Sequence, residues 1–335
     1  MAPAQSSASR DQEGGIALLA VLWALTLLSL VALALSSSVQ DEVRTATYRK
    51  EAAQAHALAC GGVDTAIMAI AYLVPEDPSN PPFWNWKPGQ REGVVPFPGG
   101  AARLLIENES GKVDLNVASR GQLIRLFEAR GLATDSAETL AAAILHWRAP
   151  EQEDDPDAEA LDAYYQRAGI RPRHGRFRSV EEVLNVRGMS REIFYGTVEV
   201  SPQGTIHQIY GVGQDLTVMS GSALVNVNYA SQYVLMSLPG MTADLARAIV
   251  KERETEPFTS MVQVGDRTAM SLPDDSLPYL TTAEGNTYCI VSVGEIAGSP
   301  VHRAVQAFIQ IDSQMVPGYR LVAWYDDVSG REAGN

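Results

Sequence analysis

An uncharged apolar run from Ile16 to Leu35 constrains this chain more than any other feature of its sequence. A helix over these residues would be about 30 Å long, which is enough to cross a bilayer. An ordinary secretory signal has a basic first region, whereas residues 1–15 hold one basic residue, Arg10, against Asp11 and Glu13. The run therefore predicts a membrane-spanning helix that stays in the mature protein.

Gly15 stands directly before this run, and a glycine in that position is typical of prepilin-type leaders. A dedicated peptidase cuts such leaders on the cytoplasmic side of the membrane, so we predict cleavage between Gly15 and Ile16. Two alternatives stay open. Ala32-Leu33-Ala34 is a small-residue signature that permits secretory cleavage after Ala34, and the run could also be an uncleaved signal anchor.

The composition indicates a folded, acidic protein. A chain of 335 residues exceeds one typical domain, so two folded units are expected beyond the membrane helix. The charged fraction of 20% argues against disorder, and the net charge of −14 would repel nucleic acid and anionic bilayer surfaces. Cys60 and Cys289 lack metal-ligand spacing. Two buried thiols are expected, with a disulfide as the alternative.

Apolar periodicity predicts that the helix continues beyond the membrane. Ala59, Val63, Ala66, Ile70 and Leu73 recur at spacings of four and three, which gives one apolar face. This face should pack on something outside the membrane. Prolines between positions 75 and 82 should end the helix.

Runs with a period near two predict strands at both ends of the remaining chain. Residues 102–106 and 112–116 flank a turn-like segment, 108–111, and together predict a hairpin. Residues 288–293 and 301–311 predict a second hairpin, and 320–325 a last strand. Strands separated by a long helical region indicate an α+β fold in which a sheet domain holds an insertion.

The region between these strands repeats itself. Each repeat reads as a capped helix, a glycine turn and a second helix, which resembles the helix-hairpin-helix motif. DNA-binding members carry a second glycine whose amide meets a phosphate. Ser190 and Thr242 stand at that place, so we expect the hairpins to support a protein surface. The matches pair Asn116–Ser119 with Asn228–Ser231, Phe177–Ser179 with Phe258–Ser260, and, without gaps, Ser179–Ser190 with Ser231–Thr242.

An acidic segment lies between Arg148 and Arg167, which have no basic residue between them. Crowded carboxylates repel one another unless a cation relieves them, and Ca²⁺ takes six to eight oxygens in irregular geometry. The alternative is a solvated acidic loop, because no EF-hand pattern is present. The carboxylates are Glu151, Glu153, Asp154, Asp155, Asp157, Glu159 and Asp162.

The histidines do not form a catalytic motif, so an enzyme is not expected. There is no H-E-x-x-H, no Gly-x-Ser-x-Gly elbow, and no phosphate-loop lysine after Gly211-Val212-Gly213. The histidines are scattered at His56, His146, His174, His207 and His302.

Together these features resemble the protein K family of the type II secretion system, whose members are minor pseudopilins. The resemblance spans nearly the whole chain, from Gly15 to Tyr325. The resemblance rests on the Gly15-Ile16 junction, Lys112–Asn116, Phe177–Leu184, Val225–Ser231, Leu238-Pro239-Gly240 and Trp324-Tyr325.

The resemblance implies a pilin-like domain, with a long amino-terminal transmembrane helix on an antiparallel sheet. A large all-α domain with tandem helix-hairpin-helix-like repeats would be inserted into it. The implied divisions are 1–15 for the leader, 16–36 for the transmembrane part of the helix, 37–116 and 286–330 for the two parts of the pilin-like domain, and 117–285 for the insertion.

The resemblance also implies assembly rather than catalysis. Such a subunit caps the pseudopilus tip and helps initiate its assembly with minor pseudopilins I and J, followed by H and the major pseudopilin G. The fibre grows from an inner-membrane platform and exports folded proteins across the outer membrane. A single span would hold the chain in the inner membrane with its bulk in the periplasm. Arg44, Arg49 and Lys50 follow the span, so the charge bias mildly disagrees with this orientation.

Two positions carry further family expectations. The prepilin peptidase would cut before Ile16 and then methylate its new amino group. Most pilin-like subunits have glutamate at the fifth mature position, where it is thought to pair with the preceding subunit's amino terminus. This chain has Ala20 there, which is consistent with a cap that recruits no neighbour above it.

Family members can bind calcium in the helical domain. The resemblance therefore points to Glu151, Asp155, Glu159 and Asp162 as oxygen donors. The chain departs from the family where Asp-Trp-x-Asp is usual, because it reads His146-Trp147-Arg148-Ala149.

The chief alternative is a membrane-anchored DNA receptor of the competence type, which also has one span and a tandem helix-hairpin-helix. It explains the repeat but not the flanking strands, the missing glycines or the charge. A tethered periplasmic hydrolase is a second alternative, and it lacks a nucleophile constellation.

Overall fold

The computed structural model describes residues 8–72, 86–148, 157–200, 206–312, 314 and 316–326. The helices are α1 (Ala8–Tyr72), α2 (Arg120–Ala129), α3 (Thr134–Arg148), α4 (Ala158–Ala168), α5 (Arg191–Tyr195), α6 (Gln232–Met236), α7 (Ala243–Thr255) and α8 (Met261–Thr268). The strands are β1 (Glu92–Phe97), β2 (Gly100–Asn108), β3 (Val113–Asp114), β4 (Gly196–Val200), β5 (Ile206–Tyr210), β6 (Leu216–Thr217), β7 (Val225–Asn226), β8 (Leu280–Thr281), β9 (Thr287–Ile296), β10 (His302–Ile311) and β11 (Tyr319–Asp326).

Helix α1 runs for 65 residues and changes its surroundings along its length. By length and composition it can cross a membrane, with a mean hydropathy of 2.6 in its apolar window. The large apolar side chains from Leu18 to Leu35 are exposed. The predicted apolar face further along is confirmed for Ala59, Val63, Ala66 and Ile70, which are buried. Leu73 and the prolines from 75 to 82 lie outside the described residues.

The second half of α1 packs on a five-stranded antiparallel sheet. The strand order is β1-β2-β9-β10-β11. Helix α1 contacts β9, β10 and β2. The core between helix and sheet joins the buried face of α1 to inward residues of the central strands, among them Leu104, Ile106, Ile290, Val305 and Ile309. The predicted β9–β10 hairpin and the last strand are confirmed.

The predicted hairpin between 102–106 and 112–116 is wrong. Strand β2 pairs instead with β1 on one side and β9 on the other. The turn-like residues Glu109–Gly111 form a 3₁₀ turn capped by Asn108, and β3 leaves the sheet to pair in parallel with β6. Val113 and Leu115 belong to the core of the helical region, which explains their alternation without a hairpin.

The helical region has a core of its own, separate from the sheet core. Its largest fully buried side chains include Tyr165, Phe127, Phe258, Leu123 and Leu140. Helices α2 and α3 pack together, as do α6 and α7. Both cysteines are free thiols, with Cys60 half-buried and Cys289 buried. The structure therefore has the predicted α+β fold, a long helix on an antiparallel sheet together with a helical region.

Candidate functional site

Two asparagines clamp equivalent loops in the helical region. Asn116 donates from Nδ2 to the carbonyl of Phe177 (3.1 Å) and accepts at Oδ1 from the amide of Phe177 (2.7 Å). Asn228 makes the same two bonds to Phe258, at 2.9 and 2.8 Å. A side-chain amide that both donates to and accepts from one residue fixes the position of that backbone. The matched sequences therefore mark one contact that occurs twice.

Two arginines repeat in the same way. Arg148 donates to the carbonyls of Leu115 (2.7 Å) and Ala118 (2.8 Å). Arg253 donates to the carbonyls of Val227 (2.8 Å) and Ala230 (2.5 Å), at the equivalent places. Each unit is also closed by a parallel strand pair, β3 with β6 and β7 with β8. We call residues 113–217 unit 1 and residues 225–281 unit 2.

The duplication corrects one sequence alignment. Ser119 and Ser231 cap α2 and α6, so these two serines are equivalent. The gap-free match of Ser179–Ser190 with Ser231–Thr242 instead relates two hairpins at different places in their units. Both hairpins have a glycine with positive φ, Gly188 (90°) and Gly240 (73°), because either turn needs the left-handed region. The two hairpins also differ in their first element, because Ser231 caps helix α6 whereas Ser179 makes no side-chain cap bond to the 3₁₀ helix Val180–Asn185.

The ends of these hairpins are poorly suited to phosphate. Ser190 caps α5 and Thr242 caps α7, as predicted for Thr242. The first turns of these helices carry acids, Glu192 in α5 and Asp244 in α7, and both are exposed. A carboxylate at a helix amino terminus occupies the place where an anion would be favourable. The geometry supports the interpretation of the hairpins as a scaffold.

The two units are joined through α2 and α6. Arg130 donates from Nε to Oδ2 of Asp215 (2.6 Å), and Ser231 donates to Oδ1 of the same carboxylate (2.6 Å). The Arg130 guanidinium also lies 3.8 Å from the centre of the Tyr233 ring. Burial raises the pKa of Asp215 although Arg130 and Ser231 oppose this effect. These contacts make the two units one platform.

The platform meets the sheet through buried polar groups. Lys112 contacts Glu109 (2.8 Å) and Glu107 (3.2 Å). Burial alone would lower the pKa of Lys112, but the charges of Glu109 and Glu107 raise it. A cavity of about 130 Å³ lies here, and it is lined almost entirely by polar and charged side chains, including Arg91, Glu107 and Lys112.

Glu284 is the centre of a second polar group at this junction. It accepts from Tyr229 (3.1 Å), Asn108 (3.1 Å) and Tyr288 (3.4 Å). Burial raises the pKa of Glu284 to about 7, although these hydrogen bonds oppose the shift. Tyr229 belongs to unit 2, whereas Asn108 and Tyr288 belong to the sheet. The carboxyl group therefore ties the two parts together.

The processing positions lie in α1. The helix backbone runs without a break through Gly15 and Ile16. Ala20 is exposed, as are its neighbours in the apolar run. Cleavage before Ile16, methylation there and the assembly role of Ala20 stay predictions.

The structure brings only part of the predicted metal site together. Glu151 and Asp155 lie outside the described residues, and Glu159 is exposed in the first turn of α4. Asp162 instead lies 3.0 Å from Nε2 of His146, and His174 completes a cluster whose potential ligand atoms are all within 4.8 Å of one another. Neither histidine could be predicted as a ligand from the sequence, because their spacing matches no metal motif. Calcium binding by the acidic segment stays a prediction.

One further cluster joins residues that the sequence separates. Cys60 Sγ lies 3.7 Å from Nδ1 of His56, and Nε2 of His56 lies 3.0 Å from Asp326. Burial raises the pKa of Cys60, and nearby Asp326 and Asp64 raise it further. A nucleophilic cysteine needs a lowered pKa, so this arrangement does not favour cysteine catalysis.

Comparisons with known proteins agree with this architecture. Residues 103–196 match the family model "Type II secretion system (T2SS), protein K", and residues 221–269 match that of the helix-hairpin-helix motif. No curated protein sequence matches the chain. Among solved structures, the chain is similar to one in the crystal structure of the GspK–GspI–GspJ complex from the enterotoxigenic Escherichia coli type 2 secretion system. The TM-score is 0.53 at 14% identity, covering 87% of this chain and 99% of that chain. The resemblance stated from the sequence and the α+β fold class are thereby confirmed.

Proposed function

We propose that this chain, whose residues 103–196 match the protein K family model and whose fold is similar to that of a chain in the GspK–GspI–GspJ structure, is a minor pseudopilin that caps the pseudopilus tip and helps initiate its assembly. One observation carries the proposal. Helix α1 is buried against its own sheet only in its second half, while residues 18–35 of the apolar run and the following residues 36–47 are exposed. We call residues 36–47 the stem. A helix left uncovered in this way is available to the helices of other subunits.

The two exposed parts of α1 suit two kinds of neighbour. The apolar run is a candidate membrane anchor, and small and branched residues permit lateral helix packing there. The stem beyond it keeps two exposed valines, Val39 (53%) and Val43 (59%). We infer that the run lies in the inner membrane and that the stem packs against partner helices on the periplasmic side.

The platform formed by units 1 and 2 would act at the end of the subunit opposite to its membrane anchor. Units 1 and 2 add a broad body to the sheet domain, and Ala20 lacks the carboxylate that would recruit a subunit above. A subunit with these two properties stops addition on its upper side. It would therefore stand at the tip, above the helices that its stem contacts.

The partners follow from the similar complex. A structurally similar chain occurs together with GspI and GspJ, so we infer that counterparts of I and J bind this chain directly. H and the major pseudopilin G would join below them, at the inner-membrane assembly platform. Prepilin peptidase would act earlier, on the precursor.

Co-purification of the full chain with I and J tests this function. We expect the three to form a stable complex in detergent. Val39→Asp together with Val43→Asp should disrupt it, because two charges would face apolar partner helices. Val262→Asp is the matched control, since Val262 is 72% exposed on α8 and far from the stem along the chain. A complex that survives the stem double substitution, or an unmodified chain that binds neither I nor J, would contradict the proposal.

Amino-terminal sequencing tests the processing step separately. The membrane-bound protein should begin at Ile16, whereas the alternatives require a start at Leu35 or Met1. Gly15→Val should leave the full-length precursor in the membrane, and Gly14→Val should be processed normally. Normal maturation of the Gly15 variant would refute the cleavage assignment.

A further inference from the structure

We propose that His146, Asp162 and His174 bind one divalent transition-metal ion of the zinc type. The three residues come from three segments: the last turn of α3, the middle of α4, and the loop that returns from α4 to Phe177. Their potential ligand atoms all lie within 4.8 Å of one another. Tetrahedral ligation by nitrogen and oxygen at about 2.0–2.2 Å from zinc requires only a modest contraction of this cluster.

A second observation concerns a ring nitrogen of His174. Nδ1 of His174 is buried and makes no hydrogen bond within the described residues. Buried polar atoms in folded proteins are almost always satisfied, and an unsatisfied one needs an explanation. His146 is buried beside it, with 6% of its side chain exposed, while Asp162 is 55% exposed. The cluster is therefore enclosed on the histidine side and open to entry of an ion on the carboxylate side.

The ligand types select the metal. Two imidazoles and one carboxylate are typical ligands of Zn²⁺, and imidazole also suits cobalt, nickel and copper ions. Calcium and magnesium prefer oxygen ligands throughout. Three protein ligands leave a coordination position for water. The chemistry of the cluster thus differs from that of the acidic carboxylates that precede it in the chain.

The three ligands are held in place by contacts outside the cluster. The amide of Gly175 donates to the carbonyl of Trp147 (3.2 Å), which fixes the His174 loop to the end of α3. Arg173 donates to Glu182 (2.6 Å) on the other side of His174. Helix α4 is anchored by Tyr165, whose hydroxyl accepts from the amide of Arg187 (3.0 Å) and whose ring stacks parallel to that of His146. Such support favours a site that needs little rearrangement to bind metal.

The position of the cluster in the duplicated fold gives the ion a role. In unit 2, residues 254–257 alone separate Arg253 from Phe258. In unit 1, residues 149–176 separate Arg148 from Phe177, and we call these residues the insertion segment. His146 lies just before this segment and His174 lies near its end, while unit 2 has Lys251 at the place of His146. A bound ion would join both ends of the insertion segment to α4 within it.

A metal titration of the full chain, purified in detergent and stripped of metal, tests the site. We expect one Zn²⁺ per chain by calorimetry, a rise in the unfolding temperature, and visible Co²⁺ absorption typical of a four-coordinate site. Excess Ca²⁺ should not displace the zinc. His174→Asn and Asp162→Asn should each weaken Zn²⁺ binding by at least about 100-fold, since the loss of a ligand should exceed the 10–100-fold effect of outer-shell changes.

Two controls separate this site from others. His302→Asn removes an exposed histidine of the sheet, and His56→Asn removes the histidine near Cys60 and Asp326; both should bind zinc like the unaltered chain. The proposal is overturned if the folded chain takes up no Zn²⁺, if His174→Asn binds it equally well, or if His56→Asn abolishes binding. Calcium uptake that survives His174→Asn without any zinc uptake also overturns it. None of these outcomes bears on the assembly with I and J.

Discussion

Helix α1 passes very close to strand β9 at Gly294. A Cβ atom at Gly294 would overlap the carbonyl oxygen of Ala55 and lie 2.6 Å from the amide nitrogen of Ala59. Both neighbours are backbone atoms, so neither can move without shifting the helix. At Gly62 in α1 a Cβ atom would meet side chains of the sheet, because it would overlap Oγ of Ser292 and lie 2.6 Å from Cβ of Ala102. These two glycines set the distance between helix and sheet.

Gly294→Ala should therefore destabilise the protein by about 1–3 kcal/mol, the usual cost of forcing an extra methyl group into a packed core. Gly265→Ala is the control. That glycine lies in α8, where the nearest neighbour of a Cβ atom would be the carbonyl oxygen of Met270 at 3.8 Å, and alanine is the better helix former. Chemical denaturation followed by tryptophan fluorescence measures both. Equal stability of the two variants would contradict the close-packing argument.

At the scale of secondary-structure elements, the junction between β2, β9 and unit 2 depends on one carboxyl group. Glu284 is surrounded by the hydroxyls of Tyr229 and Tyr288 and the amide of Asn108. Burial raises the pKa of Glu284 from 4.5 to about 7. Between these values the folded state binds more protons than the unfolded state. Stability must then fall as pH rises through this interval.

We expect the free energy of unfolding to decrease from pH 5 to pH 8 by an amount on the order of 1–3 kcal/mol from Glu284 alone. Glu284→Gln should reduce this slope, because glutamine has nearly the size of glutamate but does not ionise. The exposed Glu256→Gln serves as the control. Denaturation at several pH values decides the matter, and an unchanged slope in Glu284→Gln would show that this carboxyl is not the group responsible.

Elements with strong local patterns could be predicted from the sequence. Periodicity predicts the α1 face at Ala59, Val63 and Ala66 and the β9–β10 hairpin. Similarity between the two units predicts the repeated asparagines and phenylalanines. Strand β1 could not be predicted, because Pro96 within it argues against a strand, and its place at the sheet edge is what makes proline tolerable. The partner of strand β3 could not be predicted either, because alternation does not identify which strands pair.

The candidate metal cluster could not be predicted from the sequence, for a different reason. His146, Asp162 and His174 meet because the insertion segment folds back onto the end of α3. That return depends on the clamp between Asn116 and Phe177, which is a long-range contact. The spacing of residues in the sequence does not reveal this contact. Carboxylates crowded along the chain were therefore visible, while histidines brought together by the fold were not.

At the scale of the whole molecule, the distribution of charge favours a protein-binding platform over a DNA-binding module. The net charge is −14. Three arginines of the helical region are committed to internal contacts: Arg148 and Arg253 to carbonyl groups and Arg130 to Asp215. They do not form a basic face, and the exposed acids Glu192 and Asp244 stand at the hairpin ends.

A gel-shift assay with duplex DNA should accordingly show no salt-sensitive complex at micromolar concentrations of the full chain. Nucleic-acid binding depends on neutralising phosphates, so genuine binding would weaken steeply as salt increases. The double variant Glu192→Lys and Asp244→Lys is a useful comparison, because it places cations where phosphates would approach. A salt-sensitive shift with the unaltered chain would favour the DNA receptor.

The clamp between Asn116 and Phe177 has a practical consequence. It closes unit 1 in the same way that the clamp between Asn228 and Phe258 closes unit 2, although the stretches between arginine and phenylalanine differ greatly in length. The fold of a unit therefore does not depend on the number of residues that connect its arginine to its phenylalanine. A fluorescent reporter or affinity handle grafted between Arg148 and Ala158 would leave the architecture on either side intact.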